Sequence, residues 1–387
     1  MNKKELELYI HIPFCVRKCS YCDFLSAPAT EQTREAYMAA LFAEIGGRAK
    51  DYSDRTVTSI FIGGGTPSLL SGEQIGQLMD RIREQFAMAQ DAEITMEVNP
   101  GTASAEKLRN FYTAGINRLS IGMQSAQAEE LKNLGRIHDF EGFCQVYREA
   151  VEAGFTNINV DIMSGLPGQT LASYRDTLEK VLHLEPMPQH ISAYSLIVEE
   201  GTPFAAMAER GELPLPEEET ERAMYEETIE VLAKYGFHRY EISNYARDGY
   251  ECRHNVGYWI RRDYLGFGIG AASLIDNVRF QNEKSLGAYL AHPLESREEE
   301  QTLTVQDRME ETMFLGLRLT RGVSCVDFAE QYGRTVEEVY GEVIARKVAD
   351  GLLTVTERKE NQKKDRFLAL TKRGLDLSNY VMAQFLF

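Results

Sequence analysis

Six strand-like runs, each followed by a stretch with helical spacing, fill the first half of the chain: Leu6–Ile12, Val57–Ile62, Glu93–Asn99, Arg118–Met123, Asn157–Met163 and His190–Leu196. Repeated strand-helix units make a parallel sheet, because each helix carries the chain back to the end from which the next strand starts. Punctuation agrees with this pattern. Ser71-Gly72-Glu73-Gln74 spells a capping box that opens the second helix, and Gly115 and Gly154 stand where helices must stop. When such a sheet curls into a barrel, the strand C-termini meet at one mouth. The residues with chemistry all fall there: Cys15, Cys19 and Cys22 after the first strand, Gly63-Gly64-Gly65-Thr66-Pro67 after the second, then Glu97 and Asn99, Gln124, Asp161 and Ser195 at the ends of the next four.

The cysteines follow a C-x3-C-x2-C spacing within His11-Ile-Pro-Phe-Cys15-Val-Arg-Lys-Cys19-Ser-Tyr-Cys22. Iron–sulfur cubes are usually held by four thiolates, so three on one loop leave one iron open to an outside ligand. The same residues admit a second arrangement, a structural zinc ion held by the three thiolates and His11. Against it, the alternation Leu6-Glu-Leu-Tyr-Ile-His-Ile12 fixes the direction of His11 by the strand and not by the loop.

A chain of 387 residues, 43% of them hydrophobic, has room for about two domains with a sizeable core. Cys144, Cys252 and Cys325 are scattered and form no disulfide framework, which points to a reducing compartment. The N-terminus lacks an apolar signal region, and no stretch nears the ~18 apolar residues of a membrane span. The expectation is therefore a soluble, cytoplasmic protein with at most peripheral membrane contact. A net charge of −17 argues against a nucleic-acid partner. Residues 301–387 hold 13 Lys+Arg and 13 Asp+Glu, so the acidic excess lies upstream and a second domain is expected at the C-terminal end. There, short helices precede Leu352–Thr356 and Phe367–Leu370, which flank a charged turn, and a last helix runs to Phe387. This order predicts a helical, winged-helix-like domain that packs on the barrel or on a partner. The acidic run Glu217–Glu221 reads as the solvated start of a helix.

Together these motifs resemble the radical S-adenosylmethionine (SAM) superfamily, and within it the coproporphyrinogen-dehydrogenase-like branch, from Tyr9 to the C-terminal helices. The implied fold is α/β: a partial (β/α)6, TIM-like radical SAM barrel over residues 1–240, a connecting segment over 241–300, and the C-terminal helical domain over 301–387. Cys15, Cys19 and Cys22 would hold a [4Fe–4S] cluster. Tyr9, Tyr21, Gly64, Gly65, Thr66, Glu97, Gln124, Arg136 and Asp161 match SAM-contacting positions. Asp161 also stands out by itself, since a carboxylate in the apolar run Asn159-Val-Asp-Ile-Met163 must find a partner or neutralise.

Details of the resemblance favour the heme chaperones of that branch over its oxygen-independent coproporphyrinogen III dehydrogenases. Phe24 stands where the dehydrogenases have a further cysteine, only eight residues precede Tyr9, and His254-Asn-Val-Gly-Tyr-Trp259 resembles the HNxxYW signature. Heme is the implied cargo, with His254 the first candidate axial ligand, Cys252 its rival, and Tyr258 and Trp259 offering aromatic faces. Implied partners are heme-acceptor proteins, respiratory enzymes among them, and a second copy of the chain in a homodimer. No catalytic residue is assigned and no porphyrin decarboxylation is expected; the competing expectation is the dehydrogenase itself.

Overall fold

The computed structural model describes residues 4–295, 297–360 and 363–386. Met1 and Phe387, the outer bounds of the predicted domains, and the tip of the predicted charged turn at 361–362 lie outside the described residues. Six parallel strands stand side by side in chain order: β1 (Lys4–Ile12), β2 (Arg55–Gly64), β3 (Ala87–Val98), β4 (Arg118–Gln124), β5 (Ile158–Ser164) and β6 (His190–Ser195). Helices connect them, and the one at Gly72–Gln85 opens with the expected box: the Ser71 hydroxyl accepts from the Gln74 amide at 3.1 Å, while the Ser71 amide donates to Gln74 Oε1 at 2.9 Å.

Strand alternation sorts each side chain to one of two faces. On β1, Leu6, Leu8, Ile10 and Ile12 are fully buried in one cluster with Tyr37, Leu41 and Ile45 of the helix Glu31–Arg48. Burying such a side chain contributes about 1.5–3 kcal/mol. Glu7, Tyr9 and His11 consequently point to the opposite face, the barrel lumen. The same logic turns Glu93 and Glu97 of β3, Gln124 of β4 and Asp161 of β5 inward.

The sheet runs on beyond these six strands. Past β6 come the short antiparallel β7 (His238–Arg239) and β8 (Asn244–Ala246). On the other side β9 (Tyr264–Phe267) pairs parallel with β1, followed by the antiparallel β10 (Ala272–Ile275), β11 (Val278–Asn282) and β12 (Arg297–Thr302). The result is a twelve-stranded sheet in the order β12-β11-β10-β9-β1-β2-β3-β4-β5-β6-β8-β7. The C-terminal unit has the predicted winged-helix-like form. Helices Val305–Gly316, Cys325–Tyr332 and Val336–Ala349 pack on a sheet of β13 (Val323–Ser324), β14 (Leu353–Glu360) and β15 (Lys363–Leu370), around Met313, Phe328, Tyr340 and Leu368. Among the described residues no helix is long and apolar enough to cross a membrane.

One buried carboxylate ties the added strands to the barrel. Glu44, fully buried, pairs with Arg48 at 2.8 Å and accepts from the Tyr289 hydroxyl at 2.6 Å, the Gly268 amide at 2.9 Å and the Asn282 amide at 2.7 Å. Removing one partner of a buried charged set leaves the others unpaired. Glu44→Ala is therefore expected to lower the unfolding free energy by about 3 kcal/mol, read from urea denaturation of the full chain; a loss well under 1 kcal/mol would show that the cluster does not hold this edge.

Candidate functional site

The cysteine loop leaves β1 and is pinned along its length by main-chain bonds. The Cys15 amide donates to the Ala27 carbonyl at 3.1 Å, and the Ser20 amide to the Leu134 carbonyl at 3.0 Å. The Ser20 carbonyl accepts from the Phe204 amide at 3.0 Å, and Arg17 Nη2 donates to the Gly135 carbonyl at 2.6 Å. The loop is thus clamped between segments that follow β4 and β6. Its three thiols face one cavity of about 320 Å³ at the strand C-termini. Two donors lie against the sulfurs: the Thr66 hydroxyl 3.6 Å from Cys15 Sγ and Arg136 Nη1 3.9 Å from Cys19 Sγ. Such bonds tune a cluster's potential. His11, the fourth donor of the zinc arrangement, has both ring nitrogens engaged elsewhere, Nδ1 at 2.9 Å from the Tyr9 hydroxyl and Nε2 at 2.9 Å from the Leu25 carbonyl. Among the described residues no three His, Cys, Asp or Glu side chains are gathered around a point that suits a single ion.

Tyr21, Gly64, Gly65, Thr66, Glu97, Gln124, Arg136 and Asp161 line the same cavity as the thiols. Backbone comes close here. Gly64 sits at φ +113° and donates its amide to Glu97 Oε2 at 3.0 Å, and a Cβ on Gly65 would stand 2.7 Å from the Phe14 carbonyl oxygen. Gln124 is held at φ +69°, where the β4–β5 register slips, and its Oε1 accepts from the Tyr194 hydroxyl at 3.0 Å. A non-glycine residue in that region is strained, a state that tends to collect at functional sites.

The electrostatics are lopsided. Glu97 and Asp161 are recessed in the cavity wall, reached by its solvent but surrounded by protein. Burial, and then the nearby Asp161 charge, raise Glu97 to about 8. Asp161 is also raised by burial, against the donors Asn159 Nδ2 at 2.7 Å and Ser120 Oγ at 3.3 Å. In the same cavity, Arg136 Nη2 donates to the Gly122 carbonyl at 2.7 Å, on the strand between those of Glu97 and Asp161, while its buried Nε has no hydrogen-bond partner. Two carboxyl groups and an incompletely bonded guanidinium in one cavity suit a ligand with cationic and anionic ends. SAM, with its sulfonium, ammonium and carboxylate, fits that set, and three thiols fit a cluster with an open iron.

Two predicted positions lie outside this cavity. Tyr9 faces an adjoining one of about 570 Å³. His254 is buried in the lumen, its Nδ1 2.8 Å from Ser59 Oγ and its Nε2 3.0 Å from the Tyr258 hydroxyl; burial pushes its imidazole down to about 3. Cys252, its rival, is fully buried and donates to Glu93 at 3.5 Å. Sequence reasoning passed over Arg17, Ser120 and Tyr194. Ser120 was within reach of a period-two argument, since it shares the inward face of β4 with Gln124.

Residues 9–181 match the radical SAM superfamily, and residues 303–377 match the HemN C-terminal domain. The chain is 38% identical over 385 residues to the heme chaperone HemW of Bacillus subtilis, covering 98% of each protein. It is 36% identical over 387 residues to the heme chaperone HemW of Lactococcus lactis, covering 100% of this chain and 98% of that one. Among solved structures, coproporphyrinogen III oxidase (HemN) from Escherichia coli, a radical SAM enzyme, superposes with a TM-score of 0.84 at 28% identity, over 99% of this chain and 90% of that one.

The raised Glu97 carboxyl has a measurable consequence in ligand-free protein. Between its ordinary value of 4.5 and about 8, the unfolded chain has lost this proton while the folded chain keeps it. Its contribution to stability is therefore full below pH 4.5 and falls as pH rises towards 8. Glu97→Gln keeps an acceptor for Gly64 but cannot ionise. Its melting temperature is expected to match the wild type at pH 5 and to exceed it by a few degrees at pH 9; an equal difference at both pH values would contradict the assignment.

Proposed function

The chain belongs to the HemW family of the radical SAM superfamily, and from that premise we propose that it is a heme chaperone, which binds heme and passes it to acceptor proteins while carrying a [4Fe–4S] cluster and SAM in the barrel mouth. The observation that supports the cofactor part is the meeting of three free thiols, two recessed carboxylates and Arg136 in one cavity. Support for the cargo comes from the likeness to named heme chaperones over nearly the whole chain. Respiratory enzymes as acceptors, a homodimer and a cytoplasmic place of action belong to the same proposal, as does a division at residues 240 and 300.

In this reading Cys15, Cys19 and Cys22 would hold three irons of the cluster. The Thr66 hydroxyl and Arg136 bond to sulfur. Gly64 and Gly65 let main chain approach the methionine end of SAM, and Thr66 closes that side. Glu97 and Asp161 would offset its positive charges, Arg136 would meet its carboxylate, and Gln124, fixed by Tyr194, would border the adenosine. When bound, the cluster and SAM together supply one-electron chemistry. The protein's part is position, charge and exclusion of water.

The 0.84 TM-score to HemN favours a second reading, an oxygen-independent coproporphyrinogen III dehydrogenase. Phe24 at the position of that enzyme's further cysteine weighs against it. Formation of protoporphyrinogen IX from coproporphyrinogen III by anaerobically reconstituted protein would decide for the enzyme.

For the chaperone, replacing Cys15, Cys19 and Cys22 together by Ala is expected to remove bound iron and sulfide from anaerobic protein while leaving heme absorbance after hemin titration. Loss of both would mean a shared ligand set. SAM affinity should also depend on pH, because Glu97 must shed its proton to face a cation. Dissociation constants from anaerobic calorimetry are expected to fall by up to about tenfold per unit as pH rises towards 8 and then level off, and to depend less steeply on pH in Glu97→Gln, where only Asp161 still titrates.

A further inference from the structure

The segment that follows β4 meets the cysteine loop in two ways. Its main chain clamps the loop, since the Leu134 and Gly135 carbonyls accept from the Ser20 amide and from Arg17. Its next residue, Arg136, brings a guanidinium to Cys19 Sγ at 3.9 Å and to the Gly122 carbonyl at 2.7 Å. What holds the segment itself is a carboxylate that lines neither cavity. Glu130, on the short helix Ala128–Leu134, is only 5% exposed. Leu134 lies one helical turn beyond it, on the same face.

Three neutral donors meet on Glu130. Its Oε2 accepts from the Ser125 hydroxyl and from Gln169 Nε2 at 3.0 Å, and its Oε1 from the Ser173 hydroxyl at 2.6 Å. Ser125 follows β4, Ser173 lies in the first turn of the helix Leu171–Leu182, and Gln169 also donates to the Met163 carbonyl of β5 at 3.1 Å. A buried carboxylate is costly unless its oxygens are bonded, and bonds to a charged acceptor are short and strong. One side chain therefore fixes three segments at one point. Two further bonds, the Ala126 amide to the Thr177 hydroxyl at 3.2 Å and Gln127 Nε2 to Asp176 at 2.6 Å, keep the segment attached when the carboxylate is removed.

We infer that Glu130 is a positioning residue for the cluster and SAM: by tying β4, β5 and the helix Leu171–Leu182 together, it sets the place of the Arg136 guanidinium against Cys19 and the SAM carboxylate. The inference rests on the cluster-and-SAM reading and adds to it a residue that touches neither group. Hydrogen bonding and charge can be separated at this position. In Glu130→Gln the amide oxygen keeps Ser125 and Gln169, and the amide nitrogen donates to Ser173 Oγ, whose hydroxyl turns to the Thr170 carbonyl at 3.0 Å. Glu130→Ala takes the acceptor away from all three donors.

The test is SAM binding by anaerobic calorimetry together with the midpoint potential of the cluster, both on full-length reconstituted protein. Glu130→Ala is expected to weaken SAM about tenfold and to lower the potential, because a donor leaves the Cys19 sulfur, with iron and sulfide content unchanged. Glu130→Gln is expected to stay within about twofold of wild-type affinity and to keep the wild-type potential. In an Arg136→Met background, Glu130→Ala is expected to change affinity by less than about twofold, since residues that act through one another are not additive. Ser125→Ala, a smaller change to the same set, is expected to weaken SAM several-fold and decides the matter if Glu130→Ala does not fold. Wild-type affinity in the folded variants, a loss in Glu130→Gln equal to that in Glu130→Ala, or an undiminished loss without Arg136 overturns the inference while leaving the cofactor reading intact. Wild-type protein that binds no SAM on a reconstituted cluster overturns both.

Discussion

A carboxyl group inside a barrel must be given a proton, donors or a cation, because low-dielectric surroundings penalise its bare charge. Four such groups line this lumen, and each is met differently. Glu7, fully buried, has Arg262 Nη1 at 3.2 Å and is still pushed up to about 8 by burial. Glu93 receives the amides of Arg253 and His254 at 3.1 and 3.2 Å together with the Cys252 thiol. Asp161 takes Asn159 and Ser120. Glu97 has one amide, that of Gly64. Glu97, at the mouth beside the thiols, is thus met by main chain alone and stands where a ligand can complete it.

The same requirement builds the barrel floor. By accepting the first two amides of the helix Arg253–Trp259, Glu93 draws that short helix across the bottom of the lumen. Once the helix is docked, His254 meets Ser59, and Tyr258 and Trp259 are carried to the side of the barrel. Residues at opposite ends of the strands are linked in this way: the floor fixes the aromatic wall, and the wall borders the mouth. Arg118, almost wholly buried on β4, stands among Glu93, Cys252 and Asp161 and supplies positive charge to this interior.

The parallel core was legible in the sequence because long strands with alternating burial and capped helices leave local traces. The cysteine loop, the glycines and the strand-end acids could be placed at one mouth from chain order alone. The outer strands could not. β7 and β13 have two residues each, and β9 lies in the glycine-rich run Leu265–Gly270, where composition reads as turn. The position of His254 was also out of reach, because its partners Ser59 and Tyr258 are assigned by a helix docking that depends on Glu93, about 160 residues upstream. The ion pair of Arg279 and Glu311 carries no local signal at all; it comes from the approach of the C-terminal unit.

A sheet that does not close keeps two margins, and open margins invite other chains to pair with them. Here one ends in a strand of two residues, too brief to template anything. The other, β12, is exposed along its length and reads Arg297-Glu-Glu-Glu-Gln-Thr302, with Glu299 kinked to φ +53°. Mutual repulsion and that kink guard it. The fold can thereby remain incomplete, with room for large guests, without becoming a nucleus for aggregation.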